Sequence, residues 1–318
     1  MQEEYMKGLE IAERFYIQYG APMIHEHFPQ LEGVVAVGLA GSGSECMGYD
    51  DQISRDHDFE PGFCIFLPDE SVVDATTAFA LERAYAGLPR EFYGVSAGDR
   101  APVGGRRRGV IRISDFLLDK TGTPDGELTW RDWFFVPEQS LAEASGGKIF
   151  RDDSGYFTAI RQRLAYLPED IRLKKLAGEL LLMGQSGQYN YGRCIARGER
   201  AAAQLAVGEF VKSALHAVFL LNKKYLPYYK WSFRALSGLS ELSELYAPLE
   251  YLISSGNGAG ETAKKSAAIE QVCGAVVDLA RRQGLTDYGG DEAEGHAYAV
   301  NDRIRNGEIR NLHVLYGV

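Results

Sequence analysis

The sequence predicts an α/β domain followed by an all-α one: a mixed sheet with helices in the N-terminal part, then a helical bundle. Three observations predict it. Short apolar runs rich in valine and aromatic residues, bounded by glycine, serine or proline, stand before about residue 155, as buried strands do. Beyond that point apolar residues recur at helical spacing in long segments with no convincing strand among them. The length of 318 residues also exceeds one ordinary hydrophobic core. The expected domains are residues 1–146 and 147–318, joined at Ser145-Gly146-Gly147.

Taken in order, residues 3–19 place Tyr5, Leu9, Ile11, Ala12 and Phe15 at helical spacing and predict an amphipathic helix. Residues 33–40, GVVAVGLA, read as a buried strand that runs into the turn Gly41-Ser42-Gly43-Ser44. A second strand, Phe63-Cys64-Ile65-Phe66-Leu67, stops at Pro68, which has no N–H for pairing. Residues 69–86 predict a capped helix and residues 109–114 a third strand. In the second half, residues 171–184, 191–225, 263–283 and 295–305 all carry helical patterning.

Composition narrows the partners. The net charge is −10, and the basic residues are scattered apart from Arg106-Arg107-Arg108, so no extended nucleic-acid footprint is expected. That triplet reads as a solvated loop before it reads as a phosphate clamp. Cys46, Cys64, Cys194 and Cys273 lie far apart with no C-x-x-C pair, which argues for reduced thiols. The charged first residues lack the apolar run of a leader peptide, and no stretch offers eighteen apolar residues; a cytoplasmic protein without a membrane span is expected.

The chemistry concentrates in Gly41-Ser42-Gly43-Ser44-Glu45-Cys46-Met47-Gly48 and, eight residues on, Asp56-His57-Asp58. A strand ending in a glycine–serine turn offers amides, small hydroxyls and close approach, which suits the phosphates of a nucleotide. If Asp56 opens the next strand, period-two alternation sends Asp56 and Asp58 to one face and His57 to the other. Two converging carboxylates suit magnesium, a hard cation held by carboxylates together with substrate phosphates. The competing reading is a polar turn in which the aspartates cap local amides.

The run Gly43-Ser44-x-x-x-Gly48, then Asp56-x-Asp58 before an apolar strand, resembles the signature of the nucleotidyltransferase superfamily, which includes the aminoglycoside and lincosamide nucleotidyltransferases. Gly41 to Glu45, Ser54-Arg55-Asp56-His57-Asp58, Thr129-Trp130-Arg131-Asp132-Trp133, Pro137-Glu138-Gln139 and Tyr228-Tyr229-Lys230-Trp231 are similar to an uncharacterised bacterial nucleotidyltransferase-like family. The resemblance implies a nucleotidyltransferase-type mixed sheet. It also implies that Gly43 and Ser44, with Ser42 beside them, grip the nucleotide's phosphates, and that Asp56 and Asp58 bind Mg2+. The implied reaction moves a nucleoside monophosphate, AMP from ATP, to an acceptor hydroxyl and releases pyrophosphate. The chain departs from the superfamily pattern at Arg55, where a serine is usual, and at Glu60 and Pro61, which interrupt the following strand.

The superfamily often adds a third carboxylate. Asp115, read at the end of the third strand, is the first candidate, against an ordinary turn residue. Glu138 is the second, against an exposed residue that compensates a helix N-terminus. Lys230, between Tyr229 and Trp231, could reach the triphosphate or simply snorkel beside packed aromatics. His57, and the pair His25 and His27, read as structural or surface residues. The aromatic stretches at residues 129–136 and 225–233 read as packing, with stacking on a base or acceptor ring as the alternative. A small hydroxylated or cationic acceptor is compatible with the acidic balance. The rivals from other classes are a catalytically inactive nucleotide-binding sensor or scaffold and a metal-dependent phosphohydrolase.

Overall fold

The computed structural model describes residues 6–56, 60–96 and 108–318, with Arg55 and Asp56 described through their backbone alone. The early elements are helices α1 (Gly8–Phe15) and α2 (Ala21–His27), strands β1 (Ala36–Leu39) and β2 (Cys64–Leu67), and helix α3 (Ala75–Ala86). A small hairpin of β3 (Glu91–Phe92) and β4 (Val95–Ser96) precedes β5 (Gly109–Arg112), α4 (Ile113–Thr121), α5 (Asp132–Phe135), α6 (Glu138–Ser145) and β6 (Lys148–Arg151). Helices follow: α7 (Tyr156–Arg163), α8 (Glu169–Met183), α9 (Gly192–Ala196), α10 (Arg200–Leu221), α11 (Tyr229–Leu236), α12 (Tyr246–Ser254), α13 (Thr262–Arg282), α14 (Ala293–Asp302) and α15 (Gly307–Arg310).

The chain forms two compact units. The first comprises Met1–Thr129 and Ser140–Ala165, and the second Trp130–Gln139 and Tyr166–Val318. The division therefore differs from a single cut at residue 146. Ser145-Gly146-Gly147 is not a linker but the turn from α6 into β6, inside the first unit. Its compactness has a steric cause. A side chain at Gly147, whose φ is +74°, would stand 2.1 Å from the carbonyl oxygen of Leu39, so only glycine lets the turn lie against β1.

The first unit is built on a mixed four-stranded sheet in the order β5-β2-β1-β6. β1 runs antiparallel to both β2 and β6, while β2 and β5 are parallel. The two central strands are buried along their whole length, which is why they read as unbroken apolar runs. The edge strands β5 and β6 are half-buried, and β6, KIFR, has too little apolar length to announce itself. Phe15, Val37, Phe63, Ile65 and Leu81 lie in the core under α1 and α3.

Register decides what meets what. Gly38 pairs with Cys64, Cys64 with Gly109, and Leu39 with Lys148. The end of β1 and the starts of β2, β5 and β6 therefore share one end of the sheet, where the glycine–serine turn emerges. The strand expected at Phe63–Leu67 is β2, Cys64–Leu67, and the condition that Asp56 opens a strand is not met, since Ile53–Asp56 is a single 3-10 turn. Asp51 caps that turn, accepting from the amides of Ile53 at 3.0 Å and Ser54 at 3.1 Å.

In the second unit α10 packs against both α8 and α13, with Leu176, Leu180, Val207, Phe210, Ala214 and Val272 buried on these helices. The helix expected over 191–225 is two, broken at Arg197–Gly198, where Gly198 takes φ +76°. Among the described residues α10 is the one helix long and apolar enough to cross a membrane, and 67% of its apolar window is buried in the fold.

Candidate functional site

The turn after β1 is held from several sides. Gly41 and Gly43 take φ of +107° and +130°, a region open to glycine that other residues rarely adopt. The amide of Gly41 donates to the backbone oxygen of Glu143 at 3.2 Å, and that of Gly147 to Cys46 at 2.8 Å. Ser42 donates its hydroxyl proton to Glu143 Oε2 at 2.7 Å, and Lys120 Nζ donates to both Ser42 Oγ and Glu143 Oε2, at 3.0 and 2.9 Å. Arg161, beneath this corner, donates to the carbonyl oxygens of Ala144 and Ser145 at the end of α6.

A second ion-paired group lies at the same end. Arg108 Nη2 meets Glu45 Oε1 at 3.2 Å, with both side chains only 5% exposed, and Arg108 Nη1 meets Glu60 Oε1 at 3.7 Å. One guanidinium thus ties the residue after Ser44 to the residue two places beyond Asp58. The Glu45 carboxylate also explains Gly43: a side chain there would approach its oxygens to 2.6 and 2.8 Å. Glycine at 43 is required by an internal carboxylate, whatever else approaches the turn. Tyr85 closes the group, accepting from the Phe63 amide at 3.0 Å and donating to the Phe63 oxygen at 2.7 Å. Burial pushes the Cys64 thiol up to about 12, which keeps it protonated and unreactive.

The sequence candidates separate accordingly. Ser42, Gly43 and Ser44 are together in the turn, with Ser42 engaged by Lys120 and Glu143. Asp56 ends the 3-10 turn with its side chain outside the described residues, where His57, Asp58, Arg106 and Arg107 also lie. Asp115 is not at the end of a strand but in the first turn of α4, exposed. Because β5 is parallel to β2, its end lies at the far end of the sheet, and α4 returns so that Lys120, not Asp115, meets the turn. The solvated loop expected at the arginine triplet does not hold for Arg108, whose side chain is 5% exposed and ion-paired, while Lys120 and Glu143 carry no local signal because their partners lie 23 to 101 residues away. Among the described residues no group of three or more His, Cys, Asp or Glu is arranged to hold a metal.

Glu138 belongs to the second unit and is not exposed, its side chain being 10% accessible. Its Oε1 meets His216 Nε2 at 3.0 Å and Lys175 Nζ at 3.4 Å, and His216 Nδ1 meets Glu179 Oε1 at 2.7 Å. Burial opposes a charged His216, but the flanking carboxylates prevail and raise it to about 9. Burial likewise opposes an ionised Glu138, yet His216 and Lys175 hold its carboxyl below the usual range, which suits an anchoring ion pair better than a proton acceptor. A sequence signal exists: Lys174, Lys175 and Glu179 stand among the apolar residues of α8 and are buried with them. Lys230 is exposed, its ammonium 5.0 Å from the centroid of Trp231, a surface cation–π contact. The stretch at 129–136 packs in part against the C-terminus, with Phe134 5.1 Å from Tyr316, ring to ring. His25 and His27 lie exposed on α2.

Residues 133–232 match the model of a family described as a domain of unknown function, DUF4037. That stretch contains Glu138, Glu143, Lys175, Glu179 and His216. No curated protein and no solved structure matches the chain.

Proposed function

We propose that the protein is a magnesium-dependent nucleotidyltransferase that moves a nucleoside monophosphate, AMP from ATP, to an acceptor hydroxyl and releases pyrophosphate. The observation that supports this reading is that Arg108 bridges Glu45, beside Ser44, to Glu60, close after Asp58 in the sequence. That arrangement, at the shared end of two central antiparallel strands, agrees with the nucleotidyltransferase-type order of strand, glycine–serine turn, acidic pair and strand.

The donor chemistry fits magnesium, since Asp56 and Asp58 offer hard carboxylate oxygens. When bound, the ion would neutralise phosphate charge and lower the cost of pyrophosphate departure. The chain's own residues have narrower tasks. Gly43 and Ser44 present backbone and hydroxyl to the phosphates, and the anchored turn keeps them in place so that alignment carries the reaction. Asp115 and Lys230 have no assigned part. Replacing Asp56 or Asp58 with alanine should lower turnover by on the order of a hundredfold or more while leaving the melting temperature unchanged. Near-normal pyrophosphate release from either variant defeats the mechanism.

A second reading, a nucleotide-binding sensor or scaffold without catalysis, is favoured by one observation: a buried arginine already neutralises Glu45 and Glu60 at this end of the sheet. Calorimetry with ATP and Mg2+, followed by pyrophosphate assays across hydroxylated and cationic acceptors, separates the two. Binding without release supports the sensor, and free phosphate in place of pyrophosphate supports a phosphohydrolase.

A further inference from the structure

We infer that Lys120 and Glu143 are positioning residues for the glycine–serine turn and that Ser42 is their handle on it, not a phosphate ligand; the inference deepens, and for its activity readout rests on, the nucleotidyltransferase reading. The geometry is a closed triangle. Ser42 Oγ donates to Glu143 Oε2 at 2.7 Å, Lys120 Nζ donates to Ser42 Oγ at 3.0 Å, and Lys120 Nζ donates to Glu143 Oε2 at 2.9 Å. The side chains of Lys120 and Glu143 are 14% and 12% exposed.

Three arguments assign positioning over direct contact with a nucleotide. An ammonium has three donors, and those of Lys120 are engaged by Ser42, Glu143 and, at 3.0 Å, Asp119. The Ser42 hydroxyl is turned into the protein, both donating and accepting. Glu143 grips the turn twice, since its backbone oxygen also takes the Gly41 amide at 3.2 Å. Between two glycines at positive φ, whose backbones have many conformations open to them, residue 42 is where a side chain can fix one. The charge state agrees. Burial would discharge Lys120, but Glu143 and Asp119 more than offset it and raise its pKa above the ordinary value, so the amine does not serve as a base toward Ser42.

The test uses the full chain with Ser42→Ala, Glu143→Gln and Lys120→Met, and with Ser42→Thr and Lys120→Arg as conservative replacements. Amide hydrogen exchange of residues 41–48 without nucleotide should quicken about tenfold in the first three variants, confined to that segment, and return towards wild type in the conservative two. Combining Ser42→Ala with Glu143→Gln should add little to either alone, because one network is broken once. The KM for ATP should rise about tenfold with kcat changed less than threefold, as expected where uniform binding is lost. If Lys120→Met does not fold, Ser42→Ala, which removes one oxygen atom, decides alone. Exchange at 41–48 within twofold of wild type in Ser42→Ala overturns the inference. Failure of the wild type to bind ATP and Mg2+ removes the nucleotidyltransferase reading, while the exchange result still decides the positioning role.

Discussion

The imidazole of His216 should make the second unit lose stability in alkali, and by an amount the structure sets. It lies between Glu138 of α6 and Glu179 of α8, with Lys175 of α8 on the other side of Glu138. Tyr166 and Tyr225 also face Glu138, and burial holds both phenols protonated above their usual range. The folded-state value of about 9 stands above the ordinary 6.5. A group raised on folding contributes fully below about pH 6.5 and loses that contribution as pH rises through about 9. At about 1.4 kcal/mol per pH unit, the difference amounts to about 3 kcal/mol. The perturbation is His216→Gln, compared with wild type in urea unfolding from pH 6 to pH 10. All three tryptophans, Trp130, Trp133 and Trp231, lie in the second unit, so intrinsic fluorescence reads that unit. The wild type's advantage over the variant should be largest at pH 6 and shrink by about 3 kcal/mol by pH 10. A gap constant across that window refutes the placement of a charged imidazole between the two carboxylates.

Lys174 works in the opposite sense: burial lowers it to about 8 from 10.5, so its contribution is present above pH 10.5 and lost as pH falls through about 8. Wild type measured against Lys174→Met should therefore gain ground as pH rises from 8 to 10.5, and a flat difference would count against the burial of that ammonium. Gly147→Ala should cost more than about 2 kcal/mol or prevent folding of the first unit, because the added methyl meets a backbone oxygen at 2.1 Å; an unchanged thermal midpoint would contradict the close approach. Gly274 lies inside α13 with open space around its Cβ direction, so Gly274→Ala should stabilise by about 0.5–1 kcal/mol in the same fluorescence-detected unfolding.

The strands that were legible were the buried ones. β1 and β2 carry their apolar residues on both faces, and local composition suffices for such a strand. β6 is hidden because a four-residue edge strand, with Lys148 exposed and the other three half-buried, resembles a loop, and the glycines before it resemble a hinge. Alternation places Asp56 on one face only if it opens a strand, whereas Asp51 caps Ile53–Asp56 into a 3-10 turn. Asp115 stands in the first turn of α4, not at the end of the third strand, and only the parallel pairing of β5 with β2 shows that this end of the sheet is the remote one. Glu138 reads as exposed in the sequence because its partners arrive from α8 and α10, 37 and 78 residues away, beyond any local pattern. The glycine–serine turn was recognised, yet its supports come from the ends of α4 and α6, which no spacing rule connects.

Because β6 is the neighbour that completes β1, any shortened form of the protein must keep it. Ending the chain at residue 146 would strip one flank of β1 and leave its amides and carbonyls without their ladder, an invitation to cross-pairing between molecules. The first unit closes only with Ala165, so during synthesis its sheet waits while Trp130–Gln139 leaves and the chain returns. A workable recombinant fragment therefore has to run past the glycine pair to about residue 165.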